Sequence, residues 1–176
     1  PCSLCVDTWA VDYVLSYDVG ELLGQPVAYR DARTQGVMEQ VFQQIPKETI
    51  YKKTGIQFLN FNTLYQLFVE DDNLLDKTDK ILMIPDYIAY KLTGKMTGEV
   101  TNWSTTQFLH LESRTYDKDL LEVLDIDTSK FPDLIEAGEI IGALKVTGYD
   151  VPEAQVIAVG THDTASAVVG IPATSK

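Results

Sequence analysis

A chain of 176 residues that is 45% hydrophobic has the apolar material for one large domain, or a substantial part of one, around a real core. Fourteen basic against 26 acidic residues leave a formal charge of −12, and no stretch gathers Lys and Arg into a stripe, so nucleic acid is not an expected partner. No run approaches the ~18 apolar residues of a membrane span and no basic stretch leads into an apolar one near the start, so no membrane is expected and a cytoplasmic location is the default.

Taken in chain order, Leu4 to Tyr17 is rich in β-branched and aromatic residues and breaks near Ala10. It reads as two strands or a bent one, followed by turn chemistry at Asp18-Val19-Gly20. A short strand is expected at Pro26 to Tyr29. Val37, Val41 and Ile45 recur at helical spacing, widened by Met38 and Phe42, so an amphipathic helix is expected from Arg33 to Ile45, with Pro46 ending it. Thr49 to Thr54 gives a helical turn closed by Gly55, and Asn62 is placed to cap a helix carrying Leu64, Leu67 and Phe68. In ILMIPDYIAYKLTG, Pro85 and Asp86 at one end and Gly94 at the other predict a further helix.

Thr97 to Leu111 is rich in Thr and reads as strand or loop, and Tyr116 to Leu124 returns to helical spacing. A Gly-rich connection from Gly138 to Gly148 leads to Val156 to Val159, short enough for a buried strand, and a helix of small residues follows from Thr164. Strands mixed with helices, closing on strand, turn and helix, indicate an α/β layered domain.

In open α/β sheets, ligands bind beyond the carboxyl ends of strands, and Thr161, His162, Asp163 and Thr164 occupy that place. Two readings stand side by side. In one, Asp163 or Thr161 caps a helix whose Ala165, Ser166 and Ala167 let it pack close to the sheet. In the other, Asp163 is a general base beside a donor hydroxyl, and His162 and Thr164 fix a substrate's polar groups.

The remaining polar groups have plainer readings. Cys2 and Cys5 lack a second Cys or His pair to complete a metal site and read as unrelated thiols. Asn102-Trp103-Ser104 matches a glycosylation sequon that means nothing without a secretory context. His110 reads as ordinary structure, and Trp9 and Trp103 as core or cleft walls. In the polar burst Tyr29-Arg30-Asp31 with Arg33, arginine could bind ligand hydroxyls or pair with Asp31, and the structural pair is expected. Glu70-Asp71-Asp72 reads as a solvated helix end, although paired carboxylates can hold Mg²⁺.

Four stretches, VAYRDARTQG (Val27 to Gly36), GIQFLNFNTLYQL (Gly55 to Leu67), PDYIAYKLTGKMTGEVTNWSTTQ (Pro85 to Gln107) and THDTASAVVG (Thr161 to Gly170), together and in this order resemble the rhamnulokinases of the FGGY carbohydrate kinase family. The resemblance covers nearly the whole chain. It implies a partial ribonuclease H-like (actin-like ATPase superfamily) domain, α/β with a mixed sheet and flanking helices. It also implies a ketose bound in a cleft between two such domains, with ATP held mostly by the second. The implied reaction is ATP-dependent phosphorylation of L-rhamnulose at O1, with Mg²⁺ on the nucleotide.

By the same resemblance Asp163 matches the family's proton acceptor, and His162 and Thr164 match its sugar-contacting neighbours. In DTWAVD, Ala10 stands where the family commonly has Gly, a position whose backbone lies close to the sugar. The family's N-terminal phosphate loop and its nucleotide-binding domain have no counterpart in residues 1–176. The chain is therefore expected to be part of a sugar-binding domain, to carry neither ATP-binding residues nor metal ligands, and to be inactive as a kinase by itself. Another ketose or polyol kinase of the family, such as a fuculokinase or xylulokinase, and a non-catalytic sugar-binding module are the alternatives, and the oligomeric state stays open.

Overall fold

The computed structural model describes residues 3–146, 148, 150 and 153–173; Cys2 and part of the connection up to Gly148 lie outside them. The chain runs through β1 (Ser3–Leu4), β2 (Tyr13–Tyr17) and β3 (Glu21–Leu22) into α1 (Val37–Gln44), α2 (Lys47–Thr54), α3 (Thr63–Phe68) and α4 (Asp72–Lys77). It continues through β4 (Lys80–Met83), α5 (Ile84–Thr93), β5 (Thr97–Glu99), α6 (Val100–Ser104) and α7 (Lys118–Glu122). Strands β6 (Asp133–Ile135), β7 (Ile140–Ala143) and β8 (Gln155–Ile157) then precede α8 (Asp163–Val169).

Among the described residues the strands form three sheets, ordered β1-β8-β7, β3-β2-β4 and β5-β6. The first is mixed, with β1 parallel and β7 antiparallel to β8. The break expected near Ala10 is therefore real: β1 and β2 belong to different sheets, and residues 5–12 cross from one to the other.

The main core lies between β2, β4 and the helices. Tyr13, Leu15, Ile81 and Met83 point to the same side of the β2–β4 ladder and join Val41, Ile50, Leu64 and Leu67. Val14 and Leu82 are buried too but belong to the other face, as the two-residue pleat requires. Trp103, fully buried, meets Tyr116 and Phe131 edge-on with centroids 5.5 and 5.6 Å away, the arrangement aromatic quadrupoles favour. A smaller cluster of Ala89, Ile141, Val156 and Ala158 joins α5 to the sheet that carries β8. No described helix is long and apolar enough to cross a membrane.

Four expectations are corrected. The third strand is at Glu21–Leu22, paired with Tyr17 and Ser16, and not at Pro26 to Tyr29, because Pro26 has no N–H to give a ladder. Helix α1 begins at Val37 instead of Arg33, since Gly36 takes φ 75°, a left-handed turn that glycine makes without strain. The Thr-rich stretch after Thr97 contains helix α6, which exists because the Glu99 side chain accepts the N–H groups of Thr101 and Asn102 while Val100 and Trp103 are buried. The Gly-rich connection contains β7, whose partner is β8.

Asp86 at the start of α5 is buried, with Oδ2 accepting Trp103 Nε1–H at 2.8 Å and Oδ1 accepting Glu99 N–H at 3.3 Å. Burial pushes its carboxyl up from 3.8 to about 8 against the opposing pull of the Trp103 bond. A folded pKa above the unfolded one means that the native state holds the extra proton between those values, so its contribution to stability falls as pH rises through that window. Asp86→Asn cannot ionise and is expected to flatten this slope, at the cost of one lost acceptor, in urea unfolding of the protein between pH 4.5 and 8. A variant with an unchanged slope would show that Asp86 is ionised throughout.

Candidate functional site

The candidate site is built by backbone pairing between the two ends of the chain. The parallel pairing of β1 with β8 resumes at Thr8, which bridges His162. Thr8 N–H donates to Thr161 O at 3.3 Å and Asp163 N–H donates to Thr8 O at 2.9 Å. Thr8 therefore lies beside residues 161–163, and Trp9 and Ala10 follow it directly in the chain. Gly160 lets this happen: a Cβ there would lie 2.8 Å from Ala165 Cβ, closer than packed carbons come.

Within the seam, Thr161 and His162 are buried while Asp163 and Thr164 are exposed. His162 occupies the cap position of α8 but makes no side-chain capping bond, and the Thr161 hydroxyl donates to Glu99 Oε2 at 3.3 Å. Asp163 is already inside the helix, its Oδ1 accepting the Thr164 hydroxyl at 3.1 Å. Neither Thr161 nor Asp163 caps the helix. Among the described residues no cation stands against the Asp163 carboxylate.

The other wall is a strained turn. Asp12 N–H donates back to Ala10 O at 2.9 Å, which forces Val11 to φ 68°, a region that a β-branched residue enters only at a cost of about 1–3 kcal/mol. Two buried side chains hold it there. Thr63 Oγ1–H and Gln66 Nε2–H donate to Val11 O at 2.8 and 3.1 Å. Trp9, 44% exposed, donates its indole N–H to Asp12 Oδ2 at 2.8 Å. Burial pushes the Asp12 carboxyl above its usual range, and the Trp9 bond works against that. Asp12 Oδ1 is buried with no hydrogen-bond partner among the described residues.

The remaining expected groups lie apart from this seam or serve the frame. The Arg33 pair is structural, but its partner is Glu70 at 3.0 Å, with further bonds to Tyr13 and Gln66. Asp31 instead accepts the Arg33 backbone N–H. Glu70 is thereby no solvated charge: Tyr13 O–H also donates to it at 2.6 Å, while Asp71 caps α4. Trp103 is core, Trp9 is wall, and His110 accepts Glu112 N–H in a local turn. Asn102 of the sequon is buried, and Cys5 is an exposed free thiol. Among the described residues no three His, Cys, Asp or Glu side chains converge as a metal site.

Comparison with known proteins agrees with this architecture. Residues 4–170 match the N-terminal domain of the FGGY family of carbohydrate kinases. The chain belongs to that family. It is 55% identical over 173 residues to a rhamnulokinase of Ligilactobacillus salivarius, covering 97% of this chain and 36% of the relative, and 48% identical over 174 residues to one of Bacillus subtilis, again 97% and 36%. The chain thus spans about a third of the length of the curated relatives it matches.

Solved FGGY-type folds superpose closely at low identity. A xylulose kinase from Rhodospirillum rubrum gives a TM-score of 0.83 at 20% identity, over 93% of this chain and 35% of that one. A Plasmodium falciparum glycerol kinase with ADP gives 0.83 at 18%, over 96% and 35%. The ribonuclease H-like, actin-like α/β fold expected from the resemblance is the fold observed. Of the residues expected to form the FGGY site, His162, Asp163 and Thr164 are consecutive at the seam and Ala10 lies two residues beyond the Thr8 bridge to it; Glu99, which bonds Thr161, and Thr63 and Gln66, which bond Val11, read in the sequence as ordinary polar residues within a helix or strand end.

Replacing Gly160 by Ala is expected to cost about 1–3 kcal/mol in urea unfolding, because the added methyl must push α8 off the seam. Ala165→Gly in the same chain removes the obstructing methyl and should return most of the loss; full tolerance of the single change would mean that the close approach is not required.

Proposed function

We propose that the protein to which this chain belongs is an ATP-dependent sugar kinase that phosphorylates L-rhamnulose at O1 to give L-rhamnulose 1-phosphate, and that Asp163 is its general base. One observation carries the reading. Among the described residues, an exposed carboxylate that caps no helix and pairs with no cation opens α8, its backbone N–H bonded to Thr8 just ahead of Trp9 and Ala10. A solvated surface Asp needs no such frame, whereas a base must be held within reach of the hydroxyl it deprotonates.

The choice of sugar is supported by relatives of 44–55% identity that bear the name rhamnulokinase. In the proposed reaction the sugar lies over residues 9–10 and 162–164. Asp163 accepts the proton of the O1 hydroxyl as O1 bonds to the γ-phosphorus of ATP, and the bond from that phosphorus to the bridging oxygen breaks, releasing ADP. Phosphoryl transfer depends chiefly on positioning and charge stabilisation, so the carboxylate's placement matters more than its strength. His162 and Thr164 orient the sugar's other hydroxyls, and the Ala10 backbone forms the floor. The nucleotide, with its Mg²⁺, supplies the phosphoryl group and neutralises its charge; the residues of this chain supply the acceptor side.

Asp163→Asn in the full-length protein is expected to lower kcat for L-rhamnulose about 10²-fold or more in an ADP-release assay, with little change in sugar binding. The 176-residue chain alone should release no ADP. A variant that retains the wild-type rate would remove Asp163 from the chemistry, and faster turnover of L-fuculose or D-xylulose than of L-rhamnulose would reassign the substrate.

A further inference from the structure

The seam that carries Asp163 is tied to the interior by one buried carboxylate. Glu99, 1% exposed, ends β5 and precedes α6. Its Oε1 accepts Thr101 N–H at 2.9 Å, and its Oε2 accepts the Thr101 hydroxyl at 2.6 Å and Asn102 N–H at 3.1 Å. The same Oε2 reaches across to Thr161, accepting its N–H at 3.2 Å and its hydroxyl at 3.3 Å. The carbonyl of Thr161 is held as well, by Asn102 Nδ2 at 3.4 Å and Thr8 N–H at 3.3 Å. Both sides of the residue just before His162 and Asp163 are thus fixed.

A helix cap needs only the first set of bonds. The second set couples the cap to the seam, and it is made by a carboxylate buried away from water, where such bonds are strong and costly to lose. We propose that Glu99 is a positioning residue: through Thr161 it sets the place and direction of the Asp163 carboxylate relative to the sugar. This rests on the reading of Asp163 as base. Glu99 does not touch the sugar; it acts by holding the backbone that presents the base, and a displacement of about 1 Å at such a backbone is enough to cost up to 10²-fold in rate.

The two roles of Glu99 separate by length. Aspartate is a good helix cap, so Glu99→Asp keeps the bonds to α6, but its carboxylate is one methylene too short to reach Thr161. The test is a cycle of Glu99→Asp, Asp163→Asn and the double variant in the full-length protein, with kcat for L-rhamnulose and the thermal midpoint measured for each. The account expects Glu99→Asp to keep the midpoint within a few degrees while kcat falls about tenfold or more. It further expects the double variant to be no slower than Asp163→Asn alone, since a misplaced base matters only where there is a base.

Loss with Asp163→Asn but an unchanged kcat in Glu99→Asp would overturn the positioning role and leave the base assignment intact. Independent, multiplicative losses would overturn it too, because Glu99 would then act by another route. A full rate in Asp163→Asn would instead overturn the base assignment itself. If Glu99→Asp does not fold, Thr161→Val decides: it removes only the hydroxyl bond to Glu99, and a severalfold fall in kcat at an unchanged midpoint supports the role, while an unchanged kcat refutes it.

Discussion

Everything proposed for this chain depends on a short piece of parallel pairing between its two ends, where Thr8 exchanges hydrogen bonds with Thr161 and Asp163. Neither partner could form the site alone. The stretch around Trp9 and Ala10 is a crossing between two sheets, and the stretch around His162 is the exit of β8. Their alignment places a wall and a carboxylate side by side with backbone precision, which a surface loop held only by side chains would not provide.

Holding that alignment takes polar groups out of water, and the surrounding structure accommodates them. Val11 keeps an unfavourable backbone angle because Thr63 and Gln66 both bond its carbonyl. Glu99 and Asp86 sit buried in the same neighbourhood, joined through the Glu99 N–H and roofed by Trp103. Buried carboxylates contribute little to stability in general. Here the Glu99 bonds fix where α6 begins, and the Asp86 bonds tie the first turn of α5 to Glu99 and Trp103. That arrangement favours specificity of geometry over strength, as strain and buried polarity near functional sites generally do.

Much of this was legible in the sequence. Val156 to Val159 followed by small residues gave the strand, the turn and α8, because a continuous apolar run and a run of Ala and Ser each have one comfortable packing. Gly55 and Gly94 marked helix ends for the same local reason. What stayed hidden was decided by partners far away in sequence. VTNWS is a poor helix by propensity and became one through the Glu99 cap and the burial of Trp103. Arg33 seemed destined for Asp31 nearby but found Glu70 through the fold. Thr161 looked like a cap, and its hydroxyl turned out to face Glu99. Local chemistry named the seam, and only tertiary contact explained its rigidity.

The most direct measurement is a crystal structure of the full-length protein with L-rhamnulose and a non-hydrolysable ATP analogue. The account predicts an Asp163 carboxylate oxygen within about 2.6–3.2 Å of O1, with Trp9 and Ala10 against the sugar. A sugar bound elsewhere, or with O1 turned away from Asp163, would contradict it.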